Sequence, residues 1–217
     1  MPPPPNLGSI KKQFISSIRS ARDLANAALA LETINPAGRP GLHPKHVRRV
    51  VELAFLGVVA AWEDFVEAVF VRYLAGAASP SGFVPTMRVG KAVTVAHAYT
   101  ILSGNPNYDP EKNYLKFSDP KWIARQAKVF FDQGRPFNIG TAHADALRDA
   151  VVIRNRVAHS SKKCKAEFKT VATRRLAPAV TWQGFRAGDL LLHGNPTRQS
   201  ESLLQLSETL ADLLVPE

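Results

Sequence analysis

The segment 154–159, of sequence Arg-Asn-Arg-Val-Ala-His, combines side chains of the types that phosphodiester cleavage needs. We expect it to form the last turns of a helix, where Asn155 and His159 share one face because they are four residues apart. An imidazole can donate or accept a proton near neutral pH, and a fixed cation such as Arg154 can stabilise a five-coordinate phosphorus. The same residues also suit the negative end of a helix dipole without any catalysis.

A basic run surrounds and follows this segment. Of the 28 Lys and Arg in the chain, eight lie between Arg154 and Arg175, against the single acid Glu167. The run includes Lys162, Lys163 and Lys165, and the whole chain has a net charge of +10. Concentrated positive charge attracts nucleic acid, because binding to phosphates releases condensed counterions. A solvated basic loop that only keeps the protein soluble is the alternative interpretation.

Amphipathic periodicity predicts the helices that must position these residues. The strongest pattern runs from Pro44 to Gly76, and the segment 154–159 falls at the end of a helix over about 142–160 that Thr141 can cap. Four further helices are predicted. The first carries the apolar stripe that begins at Phe14, and the second covers about 88–102 with Val89 and Val93 facing inward. The third begins after Asp119-Pro120, and the last covers about 199–215. Residues 176–192 favour an extended or hairpin-like insertion, and we expect residues 1–8 to be a frayed, proline-rich end.

Length and composition indicate a single mostly α domain over residues 1–217. With 45% apolar and 21% charged residues, the chain resembles an ordinary globular protein. We expect an up-and-down helical bundle with a small irregular or β insertion near 176–192. The longest uncharged apolar run, 53–62, is too short to span a bilayer, and the N-terminus lacks a signal-peptide pattern. One cysteine, Cys164, fits a reducing cytoplasm, and we expect no membrane partner.

Other catalytic and metal-binding signatures are missing from the sequence. There is no nucleophile elbow, no Gly-rich phosphate loop and no His-Glu-x-x-His helix. His43 and His46 are close together without a third ligand, and Cys164 has no evident catalytic partner. We therefore predict no metal site and no cofactor.

The pattern Arg154-Asn155-x-x-Ala158-His159 resembles the Arg-x4-His signature of the HEPN superfamily, which has an asparagine after the arginine. The long helix carries Trp-Glu-Asp-Phe-Val-Glu at 62–67, similar to the aromatic-acidic pattern beside the motif helix in that superfamily. The order of a long helix, a variable middle, the motif helix and a closing helix covers about 44–215. The resemblance is strongest to the RiboL-PSP-HEPN and MAE-type HEPN-like subfamilies.

The resemblance implies a metal-independent endoribonuclease of a toxin–antitoxin or anti-phage defence system. The RNA 2′-hydroxyl would attack the adjacent phosphate and leave a 2′,3′-cyclic phosphate. His159 would be the general acid or base, Arg154 would stabilise the transition state, and Asn155 would orient either of them or the phosphate. Members commonly form homodimers in which two motif helices build one cleft, and an antitoxin or other defence-system protein is a possible partner.

Acids of the long helix fit a supporting role beside this motif. Glu63 or Glu67 would hold Arg154 or Arg156, or would orient His159. A salt bridge with a purely structural role explains these acids at least as well. Lys162, Lys163 and Lys165 would bind RNA.

Two alternatives stay open. One is a non-catalytic HEPN module that binds RNA or a partner protein. The other is a DNA-binding regulator, although the sequence has no recognisable helix-turn-helix with a basic recognition helix.

Overall fold

Almost all of the regular structure in the described part of the chain is α-helical. The computed structural model describes residues 6–32, 41–176, 182, 184–194 and 197–217. These residues form eight α-helices and one short 3₁₀ helix without a β-strand, and two isolated bridges pair Glu32 with Leu42 and Met87 with Phe131. The predicted mostly α class is confirmed. None of the described helices has the length and apolar character needed to cross a bilayer.

The helices are numbered in chain order. Their bounds are α1 Leu7–Ala30, α2 Pro44–Leu74, α3 Val95–Ser103, α4 Pro120–Phe130, the 3₁₀ helix Asp132–Gly134, α5 Thr141–Ala158, α6 Lys162–Leu176, α7 Ala187–Leu192 and α8 Gln199–Leu214.

Capping residues set the ends of α2 and α4 where the sequence predicts them. The Asp119 carboxylate accepts a hydrogen bond from the backbone N–H of Lys121 at 2.9 Å, and Pro120 is the first residue of α4. Pro44 begins α2, and Gly76 follows its end with a φ of +85°, a conformation that favours glycine. Thr141, which we expected to cap α5 from outside, is instead the first residue of that helix.

The helix predicted over 88–102 begins later, at Val95. Thr94 caps it by accepting a hydrogen bond from the His97 N–H at 3.1 Å. Before it, the N–H of Ala92 bonds to the Leu74 carbonyl at 2.8 Å, so Ala92 does not make the bond to the Arg88 carbonyl that a helix starting at 88 requires. The expectation that Val89 and Val93 face inward was wrong, because they are 44% and 82% exposed.

The region after α5 contains more helix than predicted. Most of the basic run forms α6, and Ala187–Leu192 is helical, so the extended or hairpin prediction was wrong for these six residues. The Asp189 carboxylate accepts from the Arg186 N–H at 2.8 Å and thereby stabilises the first turn of α7. Residues 177–181 and 183 of the predicted insertion lie outside the described residues.

The N-terminal end is helical from Leu7 onward. Residues 1–5 of the predicted frayed segment lie outside the described residues, but Leu7 and Gly8 belong to α1, and Leu7 is buried. That part of the prediction was wrong, because the side chain of Leu7 has an apolar environment to enter.

The chain divides into two compact units. The first comprises Met1–Ile15, Trp62–Asp145 and Ser207–Glu217, and the second comprises Ser16–Ala61 and Ala146–Leu206. Helices α1, α2, α5 and α8 contribute residues to both units. A single domain over 1–217 stays a prediction.

An aromatic cluster forms the centre of the first unit. The Phe70 ring lies 4.6 Å from Phe137, 5.1 Å from Phe131 and 5.6 Å from Phe117, measured between ring centroids. The Tyr73 hydroxyl donates a hydrogen bond of 2.7 Å to the Leu214 carbonyl, so this buried polar group is satisfied.

The core of the second unit combines residues of five helices. Its buried members are Val51, Phe55 and Val59 of α2, Ala150 and Ile153 of α5, Phe168, Val171 and Ala172 of α6, Ala187, Leu190 and Leu191 of α7, and Leu203 of α8. The apolar faces of α5 and α6 therefore belong to one core, which fixes the helix that carries the segment 154–159.

Gly188 allows α7 to approach α2 closely within the second unit. Its N–H donates a hydrogen bond of 2.9 Å to the buried carboxylate of Glu52. A Cβ atom at this position would lie 2.8 Å from Arg48 Cβ and 3.0 Å from the Arg48 carbonyl oxygen. Both distances are shorter than normal carbon contacts, so only glycine fits without displacement of α7.

We expect Gly188→Ala to lower the free energy of unfolding by about 2 kcal/mol, a fall in Tm of roughly 4 to 8 °C, because the new methyl group overpacks the contact with Arg48. Thermal unfolding followed by circular dichroism measures this. Gly57→Ala is the matched control, since a Cβ at the exposed Gly57 in α2 meets nothing within 4 Å. Alanine should raise stability there by about 0.5 to 1 kcal/mol. Equal stabilities of the two variants would contradict this account.

Candidate functional site

The segment 154–159 lies at the C-terminal end of α5, in the second unit. Ile153, which is fully buried, holds this end of the helix in the core. Arg154 and Asn155 are half-buried, and the Arg154 guanidinium donates a hydrogen bond of 2.9 Å to the Asn155 side-chain oxygen. The Asn155 amide therefore holds the Arg154 guanidinium in place.

His159 is the first residue beyond α5, which ends at Ala158, whereas the prediction placed His159 inside a helix that extends to about 160. Its N–H donates to the Asn155 carbonyl at 2.8 Å, so its backbone completes the last helical hydrogen bond. The residue is exposed, and the Arg156 guanidinium lies 3.4 Å from its carbonyl oxygen. The backbone of His159 is thus fixed to the helix end, while the imidazole is accessible to a ligand.

Helix α6 begins only three residues later and presents the predicted RNA-binding lysines in its first turn. The Ser161 hydroxyl caps this helix by accepting from the Cys164 N–H at 3.2 Å. Lys162, Lys163 and Lys165 are all exposed. Helix N-termini carry partial positive charge, so three ammonium groups there make a strongly electropositive end at the cost of some helix stability.

The rest of the basic run is largely engaged by the protein itself. The Lys169 ammonium lies 5.5 Å above the Trp182 ring, whereas Lys163 of the first turn has only a long contact of 3.9 Å to Glu167 and stays 83% exposed. Arg175 donates to Asp149 at 2.8 Å and to the Gln199 side chain at 2.8 Å, and Arg174 pairs with the same Asp149 carboxylate. The accessible positive charge is therefore concentrated at the start of α6.

Asp149 connects α5 to α6, a contact that the sequence analysis missed. It is 6% exposed, on α5, and its two oxygens accept from two arginines of α6. A buried carboxylate is stable only with such partners. The available signal was its position four residues before Ile153, which places an acid on the apolar face of the helix.

The two acids predicted to support the motif lie in the first unit, and their support of Arg154, Arg156 or His159 stays a prediction. Glu63 is half-buried in the first unit, and Glu67 of the same unit accepts a hydrogen bond of 2.9 Å from the Tyr99 hydroxyl. Burial raises the pKa of Glu67 above its ordinary value of 4.5. Glu52 is a further acid of α2, buried in the second unit, where it accepts from Gly188 and pairs with Arg49 at 3.1 Å.

Among the described residues, no group of three His, Cys, Asp or Glu side chains is arranged to hold a metal ion. The His43 and His46 rings are 6.3 Å apart, and His43 Nδ1 accepts a hydrogen bond from the Lys45 N–H at 3.2 Å. This pairing makes His43 part of the local turn before α2.

Asp149→Asn should lower the free energy of unfolding by about 2 to 3 kcal/mol, because it removes the charge that holds Arg174 and Arg175. The exposure of Arg174 keeps this effect below that of a fully buried pair. Urea unfolding is the measurement, and Asp64→Asn on the exposed face of α2 is the control, with a change within about 0.5 kcal/mol. Equal midpoints for the two variants would show that the pairing with α6 contributes nothing.

No family model matches the chain, and neither a curated protein nor a solved structure matches it. The resemblance to the HEPN superfamily therefore rests on the segment 154–159, the pattern at 62–67 and the order of the helices. The chemistry of the end of α5 has to be inferred from its own side chains.

Proposed function

We propose that the chain is a metal-independent endoribonuclease of the HEPN type, with its reactive groups at the end of α5. The observation that carries this proposal is the sequence of groups from α5 to α6. A guanidinium held by an amide, an accessible imidazole and a lysine-rich helix start follow one another within twelve residues, 154–165. These are the groups that bind and cleave a phosphodiester.

In the proposed reaction, the 2′-hydroxyl of one ribose attacks the adjacent phosphorus. The bond between phosphorus and the 5′-oxygen breaks, which leaves a 2′,3′-cyclic phosphate and a 5′-hydroxyl. His159 accepts the proton of the attacking hydroxyl or donates one to the leaving oxygen. Arg154, positioned by Asn155, stabilises the extra negative charge on the phosphoryl oxygens.

A homodimer completes this reaction scheme. One chain offers a single histidine at the end of α5, whereas the reaction uses one base and one acid. Two copies that bring their α5 ends together would supply both imidazoles and both guanidinium groups. We place the activity in a toxin–antitoxin or anti-phage system, where an antitoxin or another defence-system protein would be the partner.

The start of α6 also supports a second candidate, a non-catalytic module that binds RNA. Lys162, Lys163 and Lys165 are exposed and would contact phosphates whether or not His159 reacts. RNA binding without turnover is the outcome that distinguishes this candidate from a nuclease.

His159→Ala should reduce RNA cleavage in EDTA by at least about a hundredfold, because the proton acceptor is lost. Arg154→Ala should reduce it comparably, since the transition-state charge is then unbalanced. Gel analysis of labelled RNA measures both. The matched control is His193→Ala, which removes an exposed imidazole that directly follows another helix, α7. Cleavage at equal rates by wild type and His159→Ala would overturn the proposal.

Replacement of Lys162, Lys163 and Lys165 together by Gln should weaken RNA binding and reduce the slope of log K against log salt by about 2, roughly 0.7 for each lost contact with single-stranded RNA. Fluorescence anisotropy in a His159→Ala background measures binding without cleavage. The control replaces three exposed lysines of the first unit, Lys12, Lys91 and Lys128, by Gln. Equal slopes for the two triple variants would show that α6 does not form the RNA surface.

A further inference from the structure

A cavity of about 420 Å³ lies in the first unit, and none of its lining residues takes part in the proposed reaction. It is formed by the end of α3, the connection to α4 and the first turn of α4. Its polar and aromatic lining includes Asn105, Tyr108, Lys112, Tyr114, Lys116 and Trp122. Its volume falls within the range of small-molecule sites, about 300 to 1,000 Å³.

The aromatic lining of the cavity includes one ring that is almost entirely in solvent. Tyr114 is 91% exposed, although a ring of this size gains free energy when it is covered. Trp122 is half-buried and is fixed by an edge-on contact with Phe117, with ring centroids 5.1 Å apart. The cavity thus presents a free aromatic face beside a fixed one, as in sites that stack bases.

Tyr108, which also lines the cavity, is held by contacts within the first unit. Its ring stacks on Tyr99 at 5.7 Å with an interplanar angle of 12°, and Tyr99 is fixed by its hydrogen bond to Glu67. The Tyr108 hydroxyl is buried and has no hydrogen-bond partner among the residues that the structure describes. A polar ligand that reaches this hydroxyl would satisfy it, and an unsatisfied group is costly.

Polar and cationic groups complete the cavity. Lys112 pairs with Asp109 at 2.9 Å, whereas Lys116 is exposed and forms no ion pair within the described ranges. Asn105 also lines it and can hydrogen-bond to a planar ligand. The lining contains Lys116 beside the paired Lys112 and no acid, so it favours an anionic ligand with a flat, hydrogen-bonding ring.

We propose that this cavity binds one unpaired nucleotide of RNA, with its base against Tyr114 and its phosphate at Lys116. A nucleotide combines the three features that the lining selects: a π face, an amide-like edge and a negative charge. The inference rests on the proposed function, because it makes the cavity a recognition site for the RNA that the end of α5 would cleave. Base-paired RNA cannot enter it, since its bases are already stacked and paired.

The first test measures the affinity of a short single-stranded RNA in the full chain with His159→Ala, which removes the proposed proton-transfer group from the assay. Tyr114→Ala should weaken binding about tenfold, as loss of a stacking ring does, and Tyr114→Phe should retain the wild-type affinity. Lys116→Gln should weaken binding and reduce its salt dependence, and Lys121→Gln, outside the lining, is the matched control. Equal affinities for Tyr114→Ala and Tyr114→Phe would overturn the inference.

The second test locates the site with uridine 5′-monophosphate, titrated into the ¹⁵N-labelled chain. Chemical-shift changes should concentrate at residues 102–122 and disappear in Tyr114→Ala. Chemical-shift changes confined to other parts of the chain would overturn the inference. It would also be overturned if uridine 5′-monophosphate saturates the site but Tyr114→Ala binds RNA as tightly as the chain that keeps Tyr114. Cleavage assays separate the two proposals. A wild type that cleaves without a nucleotide at this cavity refutes only the recognition site, and a chain that binds here but never cleaves refutes only the nuclease.

Discussion

Asp149 places a carboxylate inside the second unit, and a charge there is stable only while guanidinium groups stay beside it. Both of its partners, Arg174 and Arg175, belong to α6. The ion pairs therefore fix α6 against α5 in one orientation, beyond what apolar packing alone would specify. They also use the cations at the far end of α6, so that accessible positive charge remains at its start, three residues after His159.

The parts of the fold that depend on local signals could be predicted from the sequence. Pro44 and Asp119-Pro120 act through capping and proline geometry that need no distant partner, so the starts of α2 and α4 were predicted correctly. The late start of α3 could not be predicted, because the N–H of Ala92 bonds instead to the carbonyl of Leu74, eighteen residues earlier. The short helix α7 combines a local signal, the Asp189 carboxylate in its first turn, with the contact between Gly188 and Glu52, which no local pattern shows.

For the candidate site, the sequence indicates residue types and spacing, and the structure adds their partners. The proximity of Arg154 and Asn155 follows from adjacency, but the hydrogen bond between their side chains does not. The basic run looked uniform as a sequence. The sequence could not show which of its arginines are paired and which of its lysines are accessible. That division depends on Asp149, an acid that is buried only in the assembled core. The partner of Glu67 is Tyr99, from a segment whose helix began elsewhere than predicted.

The central claim is that this chain cleaves RNA by attack of the 2′-hydroxyl. Mass spectrometry of the products formed by the wild-type chain in EDTA tests it most directly. The account predicts fragments that end in a 2′,3′-cyclic phosphate and begin with a 5′-hydroxyl. Fragments with a 3′-hydroxyl and a 5′-phosphate, or products that form only after a divalent metal is added, would contradict it.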